Sequence, residues 1–343
     1  MSRFFKFHPF SLFISLVAAL SGFIYGFNTS IISGALLILS SDFQLTTFEQ
    51  EILVSSLLVS AMIGAFLGGV IADAWGRRKS LFLTVILFLI GSFCLSDAVG
   101  FYTLLLGRLI LGLAVGIVSV VAPLYIAEMS PPKSRGTLVS LNQLLVTIGI
   151  LDAFAVAFIY AETAHGWRQM FFLGIFPAIL QGISLFFIPE TPTWLVSQGR
   201  ADLAEKVLSR IGFALKHKKD HVQGHKGWKE LFNPAVRKPF LIGIGVSVFQ
   251  QITGINAVIY YAPQIFQGAG YNTVQGAIFA SILISLVNVG MTAVSLFIID
   301  RVGRRPLMIV GLIGMAISLA LIGASFWGGS EKFEMAALGG LMI

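Results

Sequence analysis

The sequence predicts an all-α polytopic membrane protein in which a first bundle of spans is followed by a second of the same design. Three observations predict it. Of 343 residues, 56% are hydrophobic and only 11% charged, with a mean hydropathy of +0.88, too apolar for a soluble domain and too long for a single anchor. Apolar runs of the roughly 20 residues needed to cross a bilayer recur along the chain. The pattern Asp73-x-x-Gly76-Arg77-Arg78 returns as Asp300-x-x-Gly303-Arg304-Arg305, each time just after an apolar run.

The runs fall at about 10–39, 50–72, 80–97, 101–128, 137–160, 169–188, 238–267, 273–299 and 306–328, with the start of a tenth at 335–343. Arg3 and Lys6 ahead of the first run could mimic a signal peptide, but the run is too long for one and no small-residue cleavage site closes it; a retained helix is expected. Basic residues (Arg77, Arg78, Lys79, Lys133, Arg135, Arg301, Arg304, Arg305) and acidic ones (Asp42, Glu49, Glu51, Asp97, Glu162) occupy alternate loops, which puts the N-terminus and the basic loops in the cytoplasm. The net charge of +7 is therefore read as topology, and no nucleic-acid partner is expected. The lone Cys94 allows no internal disulfide, and no metal or cofactor is expected. His217, His221 and His225 recur every four residues, but in a Lys-rich stretch without carboxylate or thiolate support.

The expected organisation is an N-terminal six-helix bundle over 1–190, a cytoplasmic linker with short helices over 191–237, and a C-terminal bundle over 238–343. Within the linker, 201–210 has an amphipathic pattern that reads either as a cytoplasmic latch or as a solvated segment on the membrane surface. The repeated Asp-x-x-Gly-Arg-Arg pattern implies six spans per half. A second bundle ending at Ile343 is expected to be incomplete, and transport by such a chain alone doubtful.

The most unusual stretch is Phe249-Gln250-Gln251-Ile252-Thr253-Gly254-Ile255-Asn256 through Tyr260, Tyr261 and Pro263. Amides and phenols at membrane depth cost several kcal/mol unless they face protein or water, so this run is expected to line a cavity. Gln250 and Asn256, six positions apart, lie about 240° apart on a regular helix and could reach one ligand only across a break near Gly254.

Together with Gly64-x-x-x-Gly68-Gly69, the Asp73 loop resembles the signature of the major facilitator superfamily. Gly107-Arg108, Pro123 to Pro131 with Glu128, Arg135-Gly136, Gly166-Trp167-Arg168, Pro189-Glu190-Thr191-Pro192, the Gln250 to Tyr261 run and Asp300 to Arg305 resemble, in order, the motifs of its sugar porters. The resemblance covers essentially the whole chain. It implies the major facilitator fold of two six-helix bundles, and not an enzyme but a monomeric inner-membrane carrier that moves a monosaccharide by alternating access. Proton symport is implied by kinship with bacterial sugar–proton symporters such as the xylose–proton symporter; facilitation or a non-transporting sugar sensor are the alternatives.

By motif, the resemblance assigns the sugar to Gln143, Gln250, Gln251, Asn256 and Asn288, with Tyr25 and Tyr260 as walls or gates. It assigns the cytoplasmic gate to Asp73, Arg77, Arg78, Glu128, Arg135, Glu190, Asp300, Arg304 and Arg305, paired between the halves in the outward-open state. The chain departs from the symporter pattern at Asn28, where an acid is expected opposite Arg108; Asp152, at similar depth on the fifth span, is the candidate replacement. Ile150 and Thr193 also replace residues typical of the family.

Overall fold

The computed structural model describes residues 9–131, 134–211, 234–268 and 273–328. The first five spans are α1 (Pro9–Asp42), α2 (Thr47–Trp75), α3 (Arg77–Ser96), α4 (Phe101–Met129) and α5 (Arg135–Tyr160). The sixth is made of α6 (Gly166–Leu173), α7 (Ile175–Ser184) and a 3-10 turn, Leu185–Phe187. Two short helices follow, α8 (Pro192–Ser197) and α9 (Ala201–Arg210). The second half holds α10 (Pro234–Ile252), α11 (Ile255–Gly268), α12 (Val274–Val302) and α13 (Arg304–Gly328). Among the described residues, eight stretches are long and apolar enough to cross a membrane. Lys133, the histidines at 217, 221 and 225, and the tenth run at 335–343 lie outside the described residues, as do the side chains of Asp300, Arg301 and Arg304.

Helix boundaries follow from local chemistry. Thr46 caps α2 in a reciprocal box: its hydroxyl accepts the Glu49 N–H at 3.3 Å, and the Glu49 carboxylate accepts the Thr46 N–H at 2.8 Å. Gly76 separates α2 from α3 with φ +95°, and its counterpart Gly303 separates α12 from α13 with φ +86°. The repeated pattern therefore keeps its glycine because both helix-to-helix turns use a left-handed backbone.

Close helix crossings build the first half. On α2, Gly64 and Gly68 face the α4 backbone at Leu113 and Ile117, whereas Gly69 faces open space. Gly26 and Gly149 let α1 and α5 approach backbone to backbone, where a Cβ would strike Val146 O or Phe23 O. Most of the described core lies in this half, around Phe27, Phe88, Arg108, Tyr125 and Trp167.

The halves join at one end. The Ser33 hydroxyl donates to Ile259 O at 3.0 Å, Phe158 packs against Phe279 with centroids 6.1 Å apart, and Val146, Ile150 and Phe154 cluster with Ala262. These contacts lie toward the end that carries the acidic loops, where α1 and α5 finish. Toward the basic end the described side chains of α10 are exposed, as are many of those on α13. The described junction between the halves thus lies at the acidic-loop end.

Candidate functional site

The seventh run is broken where its composition called for it. α10 ends at Ile252, Gly254 takes φ +76°, and α11 starts at Ile255. On a regular helix Gln251 and Asn256 would point about 140° apart. Across the break, Asn256 Nδ2 donates to Gln251 Oε1 at 2.8 Å. Gln250 and Gln251 are exposed and Asn256 half-buried, so this amide pair remains open to a ligand. An amide both donates and accepts, which suits it to a polyhydroxylated molecule.

Gln143 on α5 is exposed and shares a stripe with Val146, Ile150 and Phe154, the residues that meet α11 and α12. It therefore sits on the basic-end continuation of the stripe that forms the junction. Tyr25 and Ile259 pack on the same cluster, and Tyr260 is buried in the core against which Tyr25 also packs. Asn288 on α12 is half-buried and accepts the Thr292 hydroxyl at 3.4 Å.

Arg108 is 1% exposed and pairs with no carboxylate among the described residues. Its Nε donates to Leu53 O at 3.1 Å and its Nη1 to Asn28 O at 3.2 Å, while Nη2 has no partner. The Asn28 side chain turns back on its own helix, Nδ2 donating to Ile24 O at 2.9 Å. Asp152 forms no ion pair with Arg108 in this structure. It lies nine positions from Gln143, about 180° round α5, which turns it off the stripe that faces α11 and α12.

At the basic end, five of the motif residues meet in the first half. Arg77 bridges Asp73 at 3.2 Å and Glu128 at 3.1 Å, and its Nη1 donates to Ala72 O. Glu190 reaches the start of α3 and accepts the N–H groups of Arg77 at 2.9 Å and Arg78 at 3.1 Å, besides that of Thr191 at 3.0 Å. A carboxylate there satisfies two of the donors that a helix start leaves open and meets the positive end of its dipole. Burial pushes the Glu190 carboxyl above the ordinary range; the N–H groups of Thr191, Arg78 and Arg77 and the Arg77 guanidinium pull it back down. The Glu190 carboxylate and the Trp194 ring occupy the space a Cβ on Gly76 would need, so that glycine answers to packing as well as to φ. Trp194 Nε1 donates to Asp73 O at 2.9 Å and the Tyr125 hydroxyl to Pro189 O at 2.6 Å. Arg135 and Arg305 are exposed and unpaired among the described residues.

Two amides, and the partners that the Trp167-Arg168 motif finds, were not singled out by sequence reasoning. Gln181 is buried and donates to the Ser21 hydroxyl, and Gln264 on α11 keeps a buried Oε1 without a partner. At the acidic-loop end Asp42 accepts from both Trp167 Nε1 and His165 Nδ1 at 2.8 Å, while Arg168 donates to Ser96 O and Ala98 O and covers the Trp167 ring. An isolated Gln within a span was the available signal for the first pair; the loop cluster carried none beyond its Trp-Arg dipeptide.

A family model described as "Sugar (and other) transporter" matches residues 14–343. The chain is 38% identical over 335 residues to a D-xylose transporter of Levilactobacillus brevis, covering 93% of this chain and 72% of that one. It is 37% identical over 323 residues to the galactose-proton symporter of Escherichia coli (strain K12), covering 91% of this chain and 69% of that one. Among solved structures it superposes, with a TM-score of 0.80 and 30% identity, on the major facilitator superfamily proton:xylose symporter XylE bound to 6-bromo-6-deoxy-D-glucose, covering 98% of this chain and 78% of that one.

Proposed function

Given that the chain belongs to the sugar transporter family of the major facilitator superfamily, whose members are transporters and not enzymes, we propose that it carries a monosaccharide across the cell membrane by alternating access, coupled to proton movement. The observation that supports this reading is the broken seventh span, where Asn256 bonds to Gln251 across the turn at Gly254 and Gln250 stands exposed beside them. Gln143 and Tyr25 supply the facing side, Tyr260 the wall toward the closed end, and Asn288 a further amide on α12. With the basic loops in the cytoplasm, the junction at the acidic-loop end and the exposed α10 toward the basic end support an inward-facing state. In it Arg77 pairs with Asp73 and Glu128, and Glu190 accepts the Arg77 and Arg78 N–H groups, all within the first half. On rocking they would instead meet Asp300, Arg304 and Arg305 of the second. The carrier works as a monomer in this reading.

Coupling has two readings with distinct support. Names of relatives that include proton symporters support symport, with Asp152 as the acid that stands in for Asn28. The environment of Arg108, whose donors among the described residues meet the Leu53 and Asn28 carbonyls and no carboxylate, favours facilitation. Uptake of D-xylose and D-galactose into proteoliposomes, with and without an imposed pH gradient, separates them. Symport predicts accumulation that collapses with the gradient and is lost in Asp152→Asn; accumulation unchanged in that variant would remove Asp152 from the mechanism. Loss of uptake in Gln251→Ala and Asn256→Ala is expected on either reading, and retention in both would overturn the site.

A further inference from the structure

A cavity of about 600 Å³ lies at the basic end between α3, the end of the sixth span and the α8–α9 pair, and no residue of the seventh span lines it. Its charge is one-sided. Arg78, Lys79, Arg200, Lys206 and Arg210 line it, against a single carboxylate, Glu190. That carboxylate already accepts the N–H groups of Arg77, Arg78 and Thr191. The Arg78 guanidinium is also engaged, donating to Leu185 O at 2.8 Å and Phe186 O at 3.3 Å and lying over the Phe82 ring. The remaining four cations have no ion pair among the described residues.

The α9 pattern gives the asymmetry a structural origin. Leu203, Lys206, Val207 and Arg210, at helical spacings of three and four, turn one stripe toward the cavity, while Asp202 and Glu205 stay exposed and outside its lining. One wall is apolar: Phe82, Leu195, Leu203 and Val207. Phe82 meets Phe186 edge-on at 4.9 Å, and Phe186 and Phe187, at the end of the sixth span, are 70% and 66% exposed. A soluble phosphate would match the cations and leave that apolar collar unused. A phospholipid matches both, its phosphate among the cations and an acyl chain along Phe82 and Phe186.

We propose that this cavity binds the headgroup of an acidic membrane phospholipid, which ties the α8–α9 strap to the basic end of the first half. Basic side chains beside a membrane gain from anionic headgroups individually and act together when clustered.

The test follows thermal unfolding of the purified full chain in a neutral detergent. The additives are phosphatidylglycerol, phosphatidylcholine or soluble glycerol phosphate, on wild type and on the triple variant Arg200→Gln, Lys206→Gln, Arg210→Gln. All three residues are exposed and unpaired, so the variant should fold; Lys206→Gln against Lys206→Arg repeats the comparison with a single change. Phosphatidylglycerol at about a hundredfold its Kd is expected to raise the wild-type Tm by about 5 °C, and the triple variant by much less. Lys206→Arg should keep the shift and Lys206→Gln reduce it. An equal shift in wild type and triple variant, or from phosphatidylcholine, would overturn the site. An equal shift from glycerol phosphate would make it a soluble-anion site and overturn the lipid.

Discussion

Replacing Gly254 by alanine perturbs one torsion and nothing else nearby. A Cβ at this position has nothing within 4 Å, so the substitution adds no clash. What it changes is the cost of φ +76°, about 1–2 kcal/mol for a residue with a side chain. The free variant relieves that cost by straightening α10 into α11, which separates Gln251 from Asn256 and dissolves their 2.8 Å hydrogen bond. A sugar must then restore the break before it binds. An added 1–2 kcal/mol corresponds to about a five- to thirtyfold weaker Kd. Equilibrium binding of tritiated D-xylose, with D-galactose as a second probe, reads it directly. Gly254→Asn should lose less, because asparagine tolerates the left-handed region better than alanine. Wild-type affinity in Gly254→Ala, or equal losses in the two variants, would refute the argument that the break assembles the site.

Other outcomes follow from the packing. Arg77→Ala leaves the 11%-exposed Glu128 side chain without its cation and should destabilise the purified protein by about 3–5 kcal/mol in denaturant unfolding. Asp73→Asn, at a 53%-exposed partner, should cost less than about 1 kcal/mol. Gly64→Ala should cost about 1–3 kcal/mol against the Leu113 backbone, while Gly69→Ala, facing open space, should be neutral or slightly stabilising in the same assay. For Glu190 the sign runs as for any raised carboxyl. Its folded form holds a proton at pH values where the unfolded chain has released one, so its contribution is full below the ordinary glutamate value of about 4.3 and falls as pH rises through the raised folded value. The stability difference between wild type and Glu190→Gln should therefore shrink as pH climbs through that window; a difference that grows with pH would contradict it.

Much of the fold was legible because hydrocarbon imposes a crude rule: apolar runs of crossing length became helices at nearly the expected bounds, with 101–128 observed as Phe101–Met129 and 137–160 as Arg135–Tyr160. The break at Gly254 was legible for a different reason, that two amides six positions apart cannot share a ligand on an unbroken helix. Partnerships were less legible. Glu190 finds the start of α3 more than a hundred residues away, a contact that depends on how Pro189 and Tyr125 bring the end of the sixth span under that helix. Nor did helix depth foretell what Arg108 holds. Counting residues from the ends put Asp152 at its level, but the rotation of α5, set by Gly149 against Phe23 and Gly26 against Val146, decides which face meets which neighbour.

The concentration of the core in the first half bears on how the chain is made. The described partners of Arg108, Leu53 and Asn28, and every member of the Arg77 cluster up to Glu190 and Trp194, leave the ribosome before Pro234 has been added. Synthesis from the N-terminus thus delivers a complete interior first. α11 and α12 then arrive at a preformed wall, on which Ser33, Ile150 and Phe158 already stand in register to receive them.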